Sequence, residues 1–282
     1  MPSDPSPRPE TDPLPAPPLP FTAAEAQALR DLAVESALRA GNHLRDRFGS
    51  DVGVRRKGAI DLVTDADHTA EALAIDVIRA RRPADAILAE ERGAAGEGAR
   101  VRWLIDPLDG TTNFAHSFPF FAVSVGVEVE GVLAAGAVHV PMLGELFAAA
   151  RGSGATLNGR PIAVSRVDRL TDAFLATGFP YDIRVNPVNN LDHFARFATR
   201  ALALRRPGAA AIDLAYVACG RFDGFWELRL APWDVAAGAV LVLEAGGKLT
   251  NIDGTPYHLG SMGVCASNGF IHDEMLLTLA DR

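Results

Sequence analysis

Val101-Arg102-Trp103-Leu104-Ile105-Asp106-Pro107-Leu108-Asp109-Gly110-Thr111-Thr112-Asn113-Phe114 is an apolar strand that runs straight into two carboxylates, a proline, a glycine and two threonines. A strand end is rigid and can hold a carboxylate at a fixed point facing a crevice. Pro107 fixes φ, Gly110 frees the backbone to turn, and the amides of residues 110–112 are placed to open a helix or a nest. Amides so arranged bind anions. One turn therefore offers acid to a cation and N–H groups to a phosphate. Taken alone, Asp106 could be a helix cap. The full string is hard to explain on structural grounds only.

The preceding apolar run, Ala86-Ile87-Leu88-Ala89, ends in Glu90-Glu91, a pair that by itself reads as a solvated loop. Bringing Glu90, Asp106 and Asp109 together without counter-charge would be repulsive and would raise at least one pKa. A hard divalent cation removes that conflict, and Mg²⁺ prefers oxygen ligands together with substrate phosphate. Zinc is disfavoured, because the seven histidines include no HExxH and no Cys/His cluster. Further on, Pro232-Trp233-Asp234 precedes an apolar helix, so Asp234 could simply complement the helix dipole.

Outward from these acids the chain sorts into elements. Thr22-Ala23-Ala24-Glu25 fits a capping box opening a helix whose Leu29, Leu32, Ala33, Ala37 and Ala40 share a face. A second helix is expected over 66–82, stopped by Pro83. Residues 120–129, 132–140 and 145–150 read as strands of an antiparallel meander. After the Asn158-Gly159 turn the texture changes: a strand over 173–177, helices near 189–203 and 209–219, a strand over 222–228 and a helix over 233–245. Such alternation suggests an α/β half (167–282) following an α+β half (22–166). The first 20 residues hold nine prolines; residues 1–21 read as a disordered, partly polyproline-like arm.

Composition narrows the function classes. The 282 residues carry 27 Lys+Arg against 35 Asp+Glu, a net charge of −8. That balance argues against a nucleic-acid or anionic-membrane surface, both of which need a positive field. Cys219 and Cys265 form no CxxC pair and no disulfide framework, so a cytoplasmic protein is expected. No predominantly apolar run reaches about 18 residues, so no membrane span is expected. A serine nucleophile is not evident either: Ala122-Val123-Ser124-Val125-Gly126 misses GxSxG at its first position.

Trp103 to Phe114 resembles the signature of the inositol monophosphatase family of metal-dependent, lithium-sensitive sugar-phosphate phosphatases. Asp61-Leu62-Val63-Thr64-Asp65-Ala66-Asp67 is similar to that family's mobile-loop and first-acid motif, Ala89-Glu90-Glu91 to its glutamate pair, and Pro232-Trp233-Asp234-Val235-Ala236-Ala237-Gly238 to its second signature. The likeness runs from about residue 24 to 280 and takes in Arg205-Arg206-Pro207-Gly208-Ala209-Ala210 and Phe225-Trp226-Glu227. It implies a layered αβαβα sandwich, an α+β and α/β arrangement of the inositol monophosphatase/fructose bisphosphatase type, acting as a homodimer. It also implies two Mg²⁺ ions: one held by Glu90, Asp106 and the Leu108 carbonyl, the other by Asp106, Asp109 and Asp234, with Glu90 sharing a third, weaker ion.

The resemblance further implies that Thr111 and Asp67 orient and deprotonate the attacking water, and that the Gly110 and Thr111 amides hold the phosphate. Gly208, Ala210 and Glu227 would contact the hydroxyl-bearing part of the substrate, and a loop bearing Lys57 and Asp61 would close over the site. Ala89 stands where many members carry Gly, and Ala209 where a hydroxyl residue is common. The chemistry is consistent with these roles. Phosphate monoester hydrolysis needs up to about 10²¹-fold acceleration, and two cations about 3.5–4 Å apart can clamp both oxygens of an in-line displacement. The expected function is Mg²⁺-dependent hydrolysis of myo-inositol monophosphate, a small phosphorylated polyol, by a metal-activated water. Histidinol phosphate, fructose 1,6-bisphosphate and 3′-phosphoadenosine 5′-phosphate are alternatives within the same chemistry, and a non-catalytic regulatory or binding protein is the alternative outside it.

Overall fold

A computed structural model describes residues 18–50, 53, 55–56, 62–96 and 98–281. Lys57, Asp61 and residues 1–17 of the proline-rich arm lie outside the described residues. In chain order the elements are α1 (Ala23–Arg47), β1 (Arg55–Arg56), β2 (Leu62–Val63), α2 (Asp65–Arg81), β3 (Ala86–Ala89), β4 (Gly93–Ala95), β5 (Val101–Asp109) and α3 (Thr111–Ala115). Then follow β6 (Ala122–Val129), β7 (Val132–Val140), β8 (Glu145–Ala150), β9 (Ala155–Leu157), β10 (Arg160–Pro161), β11 (Phe174–Thr177), α4 (Leu191–Ala198) and β12 (Ala203–Arg205). The chain closes with α5 (Ala210–Ala218), β13 (Gly224–Leu228), α6 (Pro232–Glu244), β14 (Lys248–Thr250), β15 (Gly263–Ser267) and α7 (His272–Ala280).

Two sheets organise these elements. The larger has the order β10-β9-β8-β7-β6-β5-β3-β4 and the smaller β12-β11-β13-β15-β14. The chain crosses from one to the other between Pro161 and Phe174. The pair α1 and α2 covers one face of the larger sheet, α5 and α6 lie between the sheets, and α4 and α7 cover the outer face of the smaller one. The result is the expected layered αβαβα sandwich.

Two packing features set the position of the acids. First, β3 and β5 are parallel, with Ala89 opposite Ile105, so both strands deliver their carboxyl ends to the same edge of the sheet. The Glu90 amide extends that ladder by donating to the Ile105 carbonyl at 3.2 Å, which holds Glu90 beside Asp106. Second, α6 lies unusually close to the larger sheet. A Cβ on Gly126 would stand 2.5 Å from Ala236 Cβ, and one on Gly136 would stand 2.6 Å from Ala237 Cα. Only glycine permits that approach, and it carries the first turn of α6, with Asp234, down to the strand ends.

The structure departs from the sequence reading at a few places. Thr22 caps α1 by accepting from the Glu25 amide at 3.2 Å, but Glu25 does not reciprocate. Its carboxylate takes the Arg100 guanidinium at 2.5 and 3.1 Å, a charge-assisted fork that outcompetes a single backbone N–H. A full capping box forms instead at α2, between Thr64 and Asp67. The helix expected near 189–203 stops at Ala198, and Ala203–Arg205 joins the smaller sheet as edge strand β12. Among the described residues no helix is long and apolar enough to cross a membrane.

Candidate active site

Asp106 and Asp109 are three residues apart, a spacing that puts side chains on opposite faces of a regular strand. The register resolves this. Asp106 pairs with Ser124 and Asp109 with Ala122, so Pro107 and Leu108 together face the single residue Val123. That β-bulge adds one residue and returns Asp109 to the face that Asp106 uses. Proline suits the position because it has no N–H to give to a ladder. The bend is locked by the Leu108 amide, which donates to Asp106 Oδ1 at 2.9 Å. Gly110 then turns the chain in a left-handed conformation, φ 99°, into α3, whose first amides have no intrahelical carbonyl to bond.

A cavity of about 280 Å³ opens at this point. Glu90, Asp106, Leu108, Asp109, Gly110, Thr111, Gly208, Ala210, Glu227 and Asp234 all line it. Asp67 stands behind Thr111. The Thr111 hydroxyl reaches both Asp67 Oδ1 at 3.1 Å and the Leu108 carbonyl at 3.0 Å, and can donate to one of them at a time. Asp67 Oδ2 is already committed to the Thr64 amide and hydroxyl, at 2.8 and 2.6 Å. The first turn of α5 holds Asp109: Ala210 N donates to its Oδ1 at 3.2 Å and Ala211 N to its Oδ2 at 2.7 Å. Because the Ala210 amide is spent on Asp109, any contact between Ala210 and a ligand falls to its carbonyl or methyl group. The Asn113 amide group ties the turn before α5 to α3 by donating to the Pro207 carbonyl at 3.0 Å and the Phe120 carbonyl at 2.7 Å.

The electrostatics follow from crowding acids in a dry place. Burial, then the charges of Glu90, Asp109 and Asp234, push Asp106 well above the ordinary carboxylate range. Burial raises Asp109 to about 7 against the opposing pull of the α5 amides. Burial and the charges of Asp109 and Glu90 bring Asp234 to about 8. Glu227, buried near Asp234 and Asp109, also rises to about 8, and Arg206 offsets part of that rise. Among the described residues no group of three or more His, Cys, Asp or Glu side chains is arranged to hold a metal ion as it stands.

Residues 25–282 match the model of the inositol monophosphatase family. The chain belongs to this family. It is 45% identical over 262 residues to the inositol-1-monophosphatase of Synechocystis, covering 92% of this chain and 91% of that protein. It is 41% identical over 255 residues to Nus factor SuhB of Escherichia coli, covering 89% and 96%. Among solved structures it superposes on the inositol monophosphatase of Anabaena with a TM-score of 0.84 at 44% identity, over 90% of this chain and 96% of that one. As a member of the family the protein is a phosphatase.

The cavity residues to which the sequence reading gave no role include three charged ones, Arg206, Asp213 and Arg229. Asp213, on α5, lines the cavity and is 1% exposed. In sequence it looks like the ordinary first-turn acid of an apolar helix. Arg206 lines the cavity as well, whereas the neighbouring Arg205 guanidinium lies over the Phe174 ring, 4.8 Å from its centroid. Nothing in the doublet Arg205-Arg206 distinguishes the two; β12 pairing and the turn at Gly208 do.

Proposed function

We propose that this phosphatase hydrolyses a small phosphorylated polyol, myo-inositol monophosphate, with Mg²⁺ as cofactor, acting in the cytoplasm as a homodimer. The observation that carries the reading is one cavity lined by Glu90, Asp106, Asp109 and Asp234 together with Gly110, Thr111 and Glu227. The donors are oxygens alone, four carboxylates and the Leu108 carbonyl, which suits a hard ion kept partly hydrated and does not suit zinc. Glu90, Asp106 and Leu108 would hold one Mg²⁺; Asp106, Asp109 and Asp234 would hold a second, with Glu90 shared by a third, weaker ion. Bound there, Mg²⁺ supplies positive charge to the attacking and leaving oxygens of an in-line displacement.

The rest is the work of the chain's own groups. With its proton donated to Asp67 Oδ1, the Thr111 hydroxyl presents lone pairs that orient a water and take its proton as it attacks. Asp67 is the ultimate acceptor; its other oxygen is saturated by Thr64, so Oδ1 is the one left to serve. The amides of Gly110 and Thr111, at the start of α3, hold the phosphate oxygens. Glu227, Gly208 and Ala210 face the alcohol part of the ester, and an acidic Glu227 favours a hydroxyl over a second phosphate.

Measuring phosphate release from myo-inositol 1-phosphate with Mg²⁺ and with EDTA tests this directly. Turnover should require the metal and exceed that of histidinol phosphate, fructose 1,6-bisphosphate and 3′-phosphoadenosine 5′-phosphate. A preference for one of those three would replace the substrate and leave the chemistry. A regulatory role without catalysis is the second reading, favoured by the name Nus factor carried by the Escherichia coli relative; release of phosphate from no ester at all would support it. Retention of Glu90, Thr111 and Asp67 is what favours catalysis.

A further inference from the structure

Asp213 is the odd group in the cavity. It lies one turn into α5, its side chain is 1% exposed, and its Oδ1 has no hydrogen-bond partner among the described residues. Its helix does not need it as a cap, because Asp109 already accepts from the Ala210 and Ala211 amides of the first turn. The acids nearest it in charge are Glu227 on β13 and Asp109, with Arg206 as the opposing cation. A buried carboxyl oxygen left unpartnered costs free energy that a ligand donor would recover. Hydroxyl groups are the donors a polyol brings. Glu227 reaches the same cavity because residue 178 is glycine: a Cβ there would stand 2.1 Å from Glu227 Oε1.

We infer that Asp213 is a specificity-determining residue that, paired with Glu227, accepts a hydrogen bond from a ring hydroxyl of the substrate. The inference rests on the reading of the cavity as a polyol-phosphate site. Two carboxyl groups projecting from different elements, β13 and α5, can take hydroxyls set apart on the ring, whereas the two oxygens of one carboxyl group reach only neighbouring hydroxyls. Such a pair selects a hydroxyl-bearing ring twice over. A ring lacking the matching hydroxyl leaves Asp213 unpartnered, and a substituent phosphate in its place brings acceptor oxygens where a donor is needed. Sites built to bond a substrate hydroxyl reject the analogue without it far more strongly than apolar pockets discriminate by size.

The test is a cycle between protein and substrate. Wild type, Asp213→Asn and Asp213→Ala are compared on myo-inositol 1-phosphate, on its single-deoxy analogues and on p-nitrophenyl phosphate, with thermal melts as the check on folding. Wild type should lose kcat/KM on the order of tenfold to hundredfold against one deoxy analogue, carried mainly by KM. Asp213→Ala should lose a comparable factor on the parent ester and show no further loss on that analogue, whereas Asp213→Asn, whose amide oxygen still accepts a hydrogen bond, should keep part of both. The ratio of kcat/KM for the inositol ester to that for p-nitrophenyl phosphate should also fall at least tenfold. An Asp213→Ala enzyme that keeps wild-type discrimination, or that loses activity equally on every ester, would overturn the assignment of Asp213 while leaving the polyol reading in place. Asp213→Asn is nearly isosteric and guards against a folding artefact in Asp213→Ala. A wild type that turns over p-nitrophenyl phosphate but no inositol ester would instead sink the polyol reading, and this inference with it.

Discussion

Replacing Thr111 by valine removes one hydroxyl and keeps the shape of the side chain, so it isolates the proton path at the level of a single group. Asp67 serves two purposes at once, because its Oδ2 closes the capping box of α2 while its Oδ1 faces Thr111. Thr111→Val should therefore lower kcat on the order of 100-fold or more, the usual worth of a positioned acid or base, and cost about 1–3 kcal/mol of stability for the hydrogen bond lost by its buried partner. Asp67→Ala should lose activity and in addition about 0.5–2 kcal/mol of stability through its cap. Steady-state kinetics beside urea melts check both, and a Thr111→Val enzyme with wild-type kcat would remove Thr111 from the mechanism. At this scale the sequence is most legible where acids end apolar runs, as Glu90, Asp106 and Asp109 do, and less so at Asp234, which opens a helix and has a dipole explanation of its own. It reads poorly where a residue type is ordinary. An aspartate in the first turn of Ala210–Ala218 has a dull explanation, and only the missing partner of its Oδ1 makes Asp213 notable.

Among the elements, the bulge in β5 and the close approach of α6 do most to assemble the cavity, and neither is visible in local pattern. The string Asp106-Pro107-Leu108-Asp109 announces a turn, yet the two-for-one pairing against Val123 needs the partner strand to be known. Likewise Gly126 and Gly136 look like ordinary strand glycines until α6 lies against them. Gly136→Ala should overpack that contact and cost about 1–3 kcal/mol, and it should lower activity further by displacing Asp234. Urea midpoints and kcat measured together check this, and a neutral substitution would show that α6 has room the geometry does not reveal. Strands β14 and β15 and helix α7 escape the sequence reading for another reason: β15 is buried on both faces, so the alternation that marks a strand is gone.

Helix α7 also carries a pH-dependent element. Thr250 Oγ1 donates to the Asn251 carbonyl at 2.8 Å, so it accepts from His272 Nε2 at 3.0 Å, and Ser267 Oγ faces Nδ1 at 2.8 Å. Burial, helped by Lys248 and only partly opposed by Asp273, lowers the His272 pKa to about 4. Between the ordinary histidine value near 6.5 and 4, the unfolded chain binds a proton that the native chain refuses. Stability from this group is therefore full above the ordinary value, falls as pH drops through that window, and levels off below 4. The difference in urea midpoint between wild type and His272→Gln should narrow from pH 7 to pH 4.5; a difference that stays constant would show that His272 does not carry the effect.

For the whole molecule, the cavity is a place where folding and catalysis want opposite things. Four carboxyl groups gathered at the strand ends repel one another in a poorly solvated site, and no local bond compensates them fully. A ligand that binds only the native chain stabilises it by mass action, by about 2.7 kcal/mol at a hundredfold excess over Kd. For a domain of this size each kcal/mol is worth roughly 2–4 °C. Wild type should therefore melt several degrees higher in Mg²⁺ than in EDTA. Asp234→Asn distinguishes a ligand role from a helix-dipole role for this residue, since the amide oxygen of asparagine can still accept from the Ala231 amide, as Asp234 Oδ2 does at 2.8 Å. If Asp234 serves a cation, the variant should melt at or above wild type in EDTA, lose most of the rise with Mg²⁺, and release no phosphate. If it only complements the dipole, the variant should melt below wild type in EDTA and keep both the rise and the activity. Differential scanning calorimetry of the two proteins in the two buffers decides between these outcomes, because relief of repulsion and loss of a helix charge move the metal-free melting temperature in opposite directions.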